Sequence, residues 1–381
     1  MTLTAAVGQA QALDGREAGL QAVHQALNRL GASSPTFGIV ISSHQYQPRE
    51  VAAGVTSLTG DMPLIGFSSP AGLTQEGMHP HSVVVALLSG DLRAEVHWLP
   101  GYAQSGRETA NRLIQLTSGD AARQSLLFFA DGFNGDAEQL CNSIPEKSAP
   151  MFGGLSSGDL HTGTNYQIAG TQAGTGGLAA AILRGAARVG AGFAHGWDPV
   201  GNQFRVTRSR GFWLRTLDGR PASETYAQIF GYPARDWAFP PLNYLARLYP
   251  LGLEQGDQLI VRAPLRVEAD GSFRMNAPVR DGVDAFLLVG SRASCQNAAQ
   301  QATQQALLKL GDAKPAFALV LVDLAWQMLL KSTPGVEIAA VQEILGADVP
   351  IAGGYTLGQI VPSRDNPQFL NQHIMVIVFG G

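Results

Sequence analysis

Pro63-Leu64-Ile65-Gly66-Phe67-Ser68-Ser69, Pro150-Met151-Phe152-Gly153-Gly154-Leu155-Ser156-Ser157 and Pro350-Ile351-Ala352-Gly353-Gly354-Tyr355-Thr356 repeat one pattern: a proline, two apolar residues, glycine, then hydroxyl-bearing side chains. The elements around each copy recur in one order. The first copy reads as a helix over 16–30, an apolar strand over 36–42, a helix over 49–58, the Pro-x-x-Gly step, and a closing strand over 82–88. The second reads as helix 108–116, strand 125–130, helix 137–144, step, and closing strand 177–183. The third reads as helix 297–310, strand 316–322, helix 336–345, step, and closing strand 373–379. Self-similarity of this kind marks a chain assembled from repeated structural units.

Ala18, Ala22, Ala26, Leu27 and Leu30 place apolar side chains on one helical face. Each central strand is a short, continuous apolar run of the sort buried on both faces of a sheet. Strand, helix, strand implies right-handed parallel crossovers. The step strand and the closing strand are joined through glycine-rich sequence and are expected to run antiparallel. Opening strands over 4–9, 94–99 and 285–290 precede the three first helices. The fold class is α/β: repeated βαβαββ units forming mixed sheets flanked by helices.

The boundaries follow. Residues 1–185 hold two units, and 186–381 combine a β-rich region, 186–284, with the third unit, 285–381. The β-rich region reads as strands near 189–196, 204–207 and 212–216, a turn at Leu217-Asp218-Gly219-Arg220-Pro221 and a helix over 222–230. A proline-rich stretch over 233–250 reads as loop, and a hairpin over 256–267 and 271–278 turns at Asp270-Gly271. This region is either an inserted half-domain or the missing partner of the third unit.

At 381 residues the chain can bury a large core. Hydrophobic residues reach 45% against 15% charged, which suits chain buried between layers or between copies in a homo-oligomer. The net charge is −4 and the sequence carries no run of lysine and arginine. Neither nucleic acid nor an anionic membrane is therefore an expected partner. Cys141 and Cys295 stand apart with no CxxC spacing, as buried thiols in a reducing cytoplasm would. No apolar run reaches the ~20 residues of a membrane span, and no basic leader precedes an apolar stretch at the start.

In open α/β sheets, ligands sit beyond the carboxyl ends of strands, where the hydroxyl-bearing steps fall. Glycine there lets a ligand approach the backbone. Gly154, Ser156, Ser157, Gly354, Tyr355 and Thr356 are thus candidate contacts for a small polar molecule, joined by Asp159 and Gln359 close by. The neighbouring Ser, Asp and His of Ser156-Ser157-Gly158-Asp159-Leu160-His161 do not form a nucleophile elbow, since triads are assembled in space rather than along a run. No catalytic residue is assigned. Asp131 and Asp136 bracket a strand end and a helix start, and Asp136 is read as a helix cap rather than a metal ligand. His195, at a strand end beside Trp197 and Asp198, is a candidate ligand contact, with Trp197 as a stacking wall. A haem-iron role for His195 is not expected, because Gly196, Asp198 and Pro199 supply little apolar wall beyond Phe193 and Trp197.

These motifs resemble a known family. Ala130-Asp131-Gly132 through Asp136, then Pro150 to Asp159 and the closing 177–185, look like the FIST N-terminal domain. His195-Gly196-Trp197-Asp198-Pro199-Val200-Gly201, Leu217 to Ala222, and Ala352-Gly353-Gly354-Tyr355-Thr356-Leu357-Gly358-Gln359-Ile360 look like the FIST C-terminal domain. The resemblance implies intracellular sensing of a small ligand, an amino acid or similar molecule. It implies signalling to a separately encoded partner such as a histidine kinase or cyclase, with no output domain expected after Gly381. Some members of the family bind haem and sense nitric oxide, which makes a haem sensor the alternative and a hydrolase-type enzyme a more distant one. Two departures stand out. Family members usually carry Cys and Arg after the last central strand, where this chain has Val322-Asp323-Leu324-Ala325-Trp326-Gln327, and they usually end the terminal motif Gly-Glu, where it has Gly358-Gln359. Loss of that pair of charges would alter how a ligand is captured.

Overall fold

The computed structural model describes residues 2–117, 124–146, 148–255, 258–363 and 366–381. Unit one comprises β1 (Thr4–Ala10), α1 (Gly15–Leu30), β2 (Phe37–Ser43), α2 (Pro48–Thr59), β3 (Leu64–Ser69), a hairpin β4 (Ala71–Thr74) and β5 (Gly77–Pro80), and β6 (Val83–Ser89). Unit two follows with β7 (Leu92–Leu99), α3 (Gly106–Leu116), β8 (Gln124–Asp131), α4 (Ala137–Asn142), β9 (Met151–Ser156), a hairpin β10 (Gln167–Ala169) and β11 (Gln172–Gly174), and β12 (Leu178–Gly185). Asp14, Ser105 and Asp136 cap α1, α3 and α4 by accepting a backbone N–H three residues on.

Unit three opens with β13 (Arg188–Ala194). An insertion then intervenes: β14 (Trp197–Arg210), β15 (Trp213–Leu217), β16 (Arg220–Pro221), α5 (Ala222–Phe230), α6 (Leu242–Leu248), β17 (Leu251–Gln255), β18 (Gln258–Arg262), β19 (Pro264–Val267), β20 (Phe273–Met275) and β21 (Asp284–Gly290). The unit resumes with α7 (Arg292–Leu310), β22 (Pro315–Asp323), α8 (Leu324–Leu329), α9 (Val336–Leu345), β23 (Ile351–Val361), β24 (Gln368–Leu370) and β25 (Ile374–Gly380).

Strand order is shared by the three units: opening, closing, central, step. It reads β1-β6-β2-β3, β7-β12-β8-β9 and β13-β25-β22-β23. In each, the step strand runs parallel to the central strand and the closing strand antiparallel to it. Step and closing strands are thus antiparallel but not neighbours, because the central strand lies between them. The expected opening strand at 285–290 is corrected. That segment is β21, which pairs with β14 and β17 in a separate sheet, while β13 fills the opening place beside β25. Pairing of Trp197 with Gly290 closes the insertion at its neck and returns the chain to α7. The stretch 233–250, expected as loop, instead carries α6 and a 3₁₀ turn at Ala234–Ala238. Prolines 233 and 241 sit at the N-caps of these turns, where a missing N–H costs nothing.

Units two and three form one continuous sheet, joined where β9 meets β23 antiparallel, while unit one builds its own sheet, extended by β10 and β11. The two sheets face each other across a shared core that includes Phe37, Ile39 and Phe67 from one and Phe129, Leu319 and Phe379 from the other. Helices cover their outer faces. The β4–β5 hairpin of unit one crosses over to pair with β23. No helix among the described residues is long and apolar enough to cross a membrane.

The step glycine has one physical reason in all three units. Gly66, Gly153 and Gly353 lie opposite Val40, Phe128 and Val320 of the parallel central strand, and a Cβ on any of them would overlap that partner's carbonyl oxygen. Gly153→Ala is expected to destabilise by about 1–3 kcal/mol through overpacking. The check is a lower urea midpoint at unchanged slope.

Candidate functional site

The C-terminal ends of the three step strands meet at the seam between units. The Ser157 N–H donates to the Ser68 carbonyl at 3.0 Å, and Ser68 Oγ donates to the Ser157 carbonyl at 2.8 Å. Ser157 Oγ donates to the Tyr355 carbonyl at 2.5 Å, and the Tyr355 N–H donates to Ser69 Oγ at 2.8 Å. Ser156 Oγ lies 2.7 Å from Asn165 Oδ1 and accepts from Gln167 Nε2. The Tyr355 hydroxyl donates to Glu337 Oε1 at 2.6 Å; burial pushes the Glu337 carboxyl above its usual range. Gly154, Ser156, Ser157, Gly354, Tyr355 and Thr356 are therefore brought together and buried, with their serine hydroxyls engaged inside the protein.

Other sequence candidates separate from this seam. Asp159 follows β9, accepts from the His161 N–H at 2.8 Å, and faces His44. That N–H, its largest influence, holds the Asp159 carboxyl below the usual range. Asp131 accepts from the N–H groups of Phe133, Asn134 and Gly176 and from Asn165 Nδ2, and Asp136 caps α4. Among the described residues, no cluster of three or more His, Cys, Asp or Glu is placed to hold a metal ion.

A second polar group lies where the insertion meets unit three. Arg247 of α6 donates through Nη2 to Asp323 Oδ1 at 3.1 Å, with both side chains at most 1% exposed. Asp323 ends β22, caps α8 through the Ala325 N–H, and accepts from the Gln372 N–H at 3.0 Å. Gln372 Nε2 donates to the Arg247 carbonyl at 2.7 Å, and the indoles of Trp197 and Trp326 both donate to the Gln372 carbonyl. Gln372 holds φ at 58°, a left-handed conformation costly for a residue other than glycine. In register, Asp323 pairs with Thr356, and Gln359, whose Nε2 donates to Thr356 Oγ1 at 2.8 Å, pairs with Leu370 and Gly154.

Arg247 Nε and Nη1 and Gln372 Oε1 of this group, both side-chain polar atoms of Asn371, next to Gln372 in the chain, and Gln359 Oε1 of β23 are buried with no hydrogen-bond partner among the described residues. Leaving such groups unpaired costs about 1–3 kcal/mol each, and clusters of them are rare in folded proteins. The sequence reading missed Arg247, Asp323, Asn371 and Gln372. Arg247 lies in the stretch read as loop and reaches Asp323 through space from α6.

Beyond this group, His195 and His373 stand with ring centroids 4.9 Å apart at 72°. They line a cavity of about 850 Å³ with Phe152, Phe193, Leu259 and Lys309. The cavity is more apolar than the sequence neighbours of His195 suggested, because residues remote in sequence, Phe152 of β9 and Leu259 of β18 among them, complete its walls. Burial pushes His373 down to about 3 and lowers His195 as well. His373 Nδ1 lies 2.6 Å from the Asn371 carbonyl and must carry the proton, while His195 Nδ1 accepts the Trp197 N–H at 3.3 Å, which leaves the proton on Nε2.

The FIST N domain model matches residues 36–220 and the FIST C domain model residues 222–362. No curated protein matches the chain. Solved structures give distant likenesses. A cyanuric acid hydrolase is 7% identical at a TM-score of 0.37, covering 99% of this chain and 100% of that one. The cyanuric acid hydrolase from A. caulinodans is 11% identical at 0.25, covering 48% and 71%. A thiamine-monophosphate kinase from Stenotrophomonas maltophilia K279a is 12% identical at 0.18, covering 48% and 75%. Likenesses this weak carry no functional weight. With both domain models matched in tandem, the chain belongs to the FIST family of small-ligand sensory domains.

Proposed function

We propose that this FIST protein senses a small polar ligand, an amino acid or similar molecule, in the buried group formed by Arg247, Asn371, Gln372 and Gln359. The observation that carries the reading is the set of unpartnered donors and acceptors on these side chains. A ligand offering both a hydrogen-bond donor and an anionic or carbonyl acceptor would satisfy Asn371 and Arg247 together. Trp197 borders the group through its bond to the Gln372 carbonyl, and Ser156, Ser157, Tyr355 and Thr356 belong to the seam that joins the step strands of the three units. His195 faces the adjoining cavity as a hydrogen-bond donor. The output passes to a separate cytoplasmic signalling protein of the histidine kinase or cyclase kind.

Binding without catalysis is the reading adopted, since the hydroxyls of Ser156 and Ser157 are committed to carbonyl and amide oxygens. Haem is the second reading, favoured by the apolar walls around His195. The tautomer opposes it. Iron ligation through Nε2 needs that nitrogen free of a proton, and the Trp197 N–H occupies Nδ1. Haem titration is expected to give no saturable Soret band; a stoichiometric band lost in His195→Ala would put the gas sensor first.

Mass spectrometry of small molecules released from the purified chain identifies the ligand, and calorimetry then tests the site. Asn371→Leu keeps the shape and removes an unpaired amide, so folding stability should hold while affinity falls about tenfold or more. Unchanged affinity in a folded Asn371→Leu protein would remove this group from the binding site.

A further inference from the structure

The arginines of the insertion are scattered along the sequence, and the fold gathers some of them. Arg210 of β14 lies opposite Trp213 of β15, Trp213 opposite Arg274 of β20, and Arg274 opposite Arg266 of β19. Residues directly opposite in adjacent strands project from one face. Four strands thus present a straight row, Arg210, Trp213, Arg274, Arg266, on the side away from buried Leu214, Phe273 and Val267. Trp213 is 39% exposed, and the Arg274 guanidinium carbon lies 5.9 Å from its ring centroid. Arg274 Nε has no partner among the described residues.

We propose that this face docks an acidic segment of a separate protein, the partner through which the sensor reports. The row is costly in the free chain. Two arginines directly opposite one another repel, a tryptophan stays in water, and Arg274 is half-buried beside Arg266. Glu268 pairs with Arg266 and offsets part of that repulsion; further carboxylates would balance the remaining cations of the row, and Trp and Arg are the residue types that dominate binding hot spots. An acidic peptide fits better than a nucleic acid strand. A single tryptophan, packed against Arg274, makes a poor base-stacking track. The proposal is independent of which small ligand the chain binds.

The test uses the full chain and fluorescein-labelled deca-glutamate, followed by anisotropy at low salt. Saturable binding is expected, weakened about tenfold by Arg210→Ala or Arg274→Ala, the loss of one charge-assisted bond. Arg49→Ala, on the exposed surface of α2, should bind as wild type does. Arg210 is exposed at a strand end, so its variant reports binding even if Arg274→Ala fails to fold. Absence of saturable binding, equal binding by wild type and Arg210→Ala, or tighter binding of oligo-dT than of deca-glutamate would each overturn the proposal.

Discussion

Asp323→Ala is expected to destabilise the chain by about 3–5 kcal/mol, because it strands the buried Arg247 guanidinium without its counter-charge. The same substitution takes the acceptor from the N–H groups of Ala325 and Gln372, so α8 loses its cap and the strained 371–373 segment loses an anchor. Urea unfolding of Asp323→Ala, Arg247→Met and the double variant forms a cycle that isolates the pair. The double variant should recover part of the loss, since removing both charges leaves neither unpaired. Additive single effects would mean that Arg247 and Asp323 are not energetically coupled.

Acid sensitivity is the second large effect. His373 is held neutral down to about 3 by burial and, secondarily, by the neighbouring His195 ring. The unfolded chain takes up this proton near 6.5 and the native chain does not. The stabilisation is therefore complete above 6.5 and is lost as pH falls from there toward 3. At pH 5 this one group accounts for about 2 kcal/mol of lost stability. Folding free energies of wild type and His373→Gln, measured at pH 7.5 and pH 5, should differ in their pH-dependent change by about that amount, with contributions from other groups cancelling in the comparison. Equal pH dependence in the two proteins would show that His373 protonates freely in the folded state.

Much of the fold was legible in the chain. The Pro-x-x-Gly steps located the parallel strand pairs, since each glycine answers to a carbonyl of its neighbouring strand, a constraint local enough to recur wherever the unit recurs. Apolar runs such as Leu126 to Ala130 marked the central strands because burial on both faces leaves no place for polar residues. The third opening strand was misplaced for a reason of the same kind. The segments 188–194 and 285–290 are both short apolar strands, and nothing in their composition tells which one β25 accepts.

The candidate site divides along that line. Ser156, Ser157, Tyr355 and Thr356 were visible because they sit at a fixed offset from a repeated glycine. Arg247, Asp323, Asn371 and Gln372 were not, since their meeting depends on a helix of the insertion folding back on unit three, and the Arg row depends on register between strands as distant as β14 and β20. By itself, the sequence determined the repeating unit, its strand and helix order and its buried faces, all of which follow from short-range periodicity and local sterics. Only the tertiary structure decided that Arg247 meets Asp323 and Gln372 and which arginines share one face, because charges and hydrogen bonds act through space on side chains far apart along the chain.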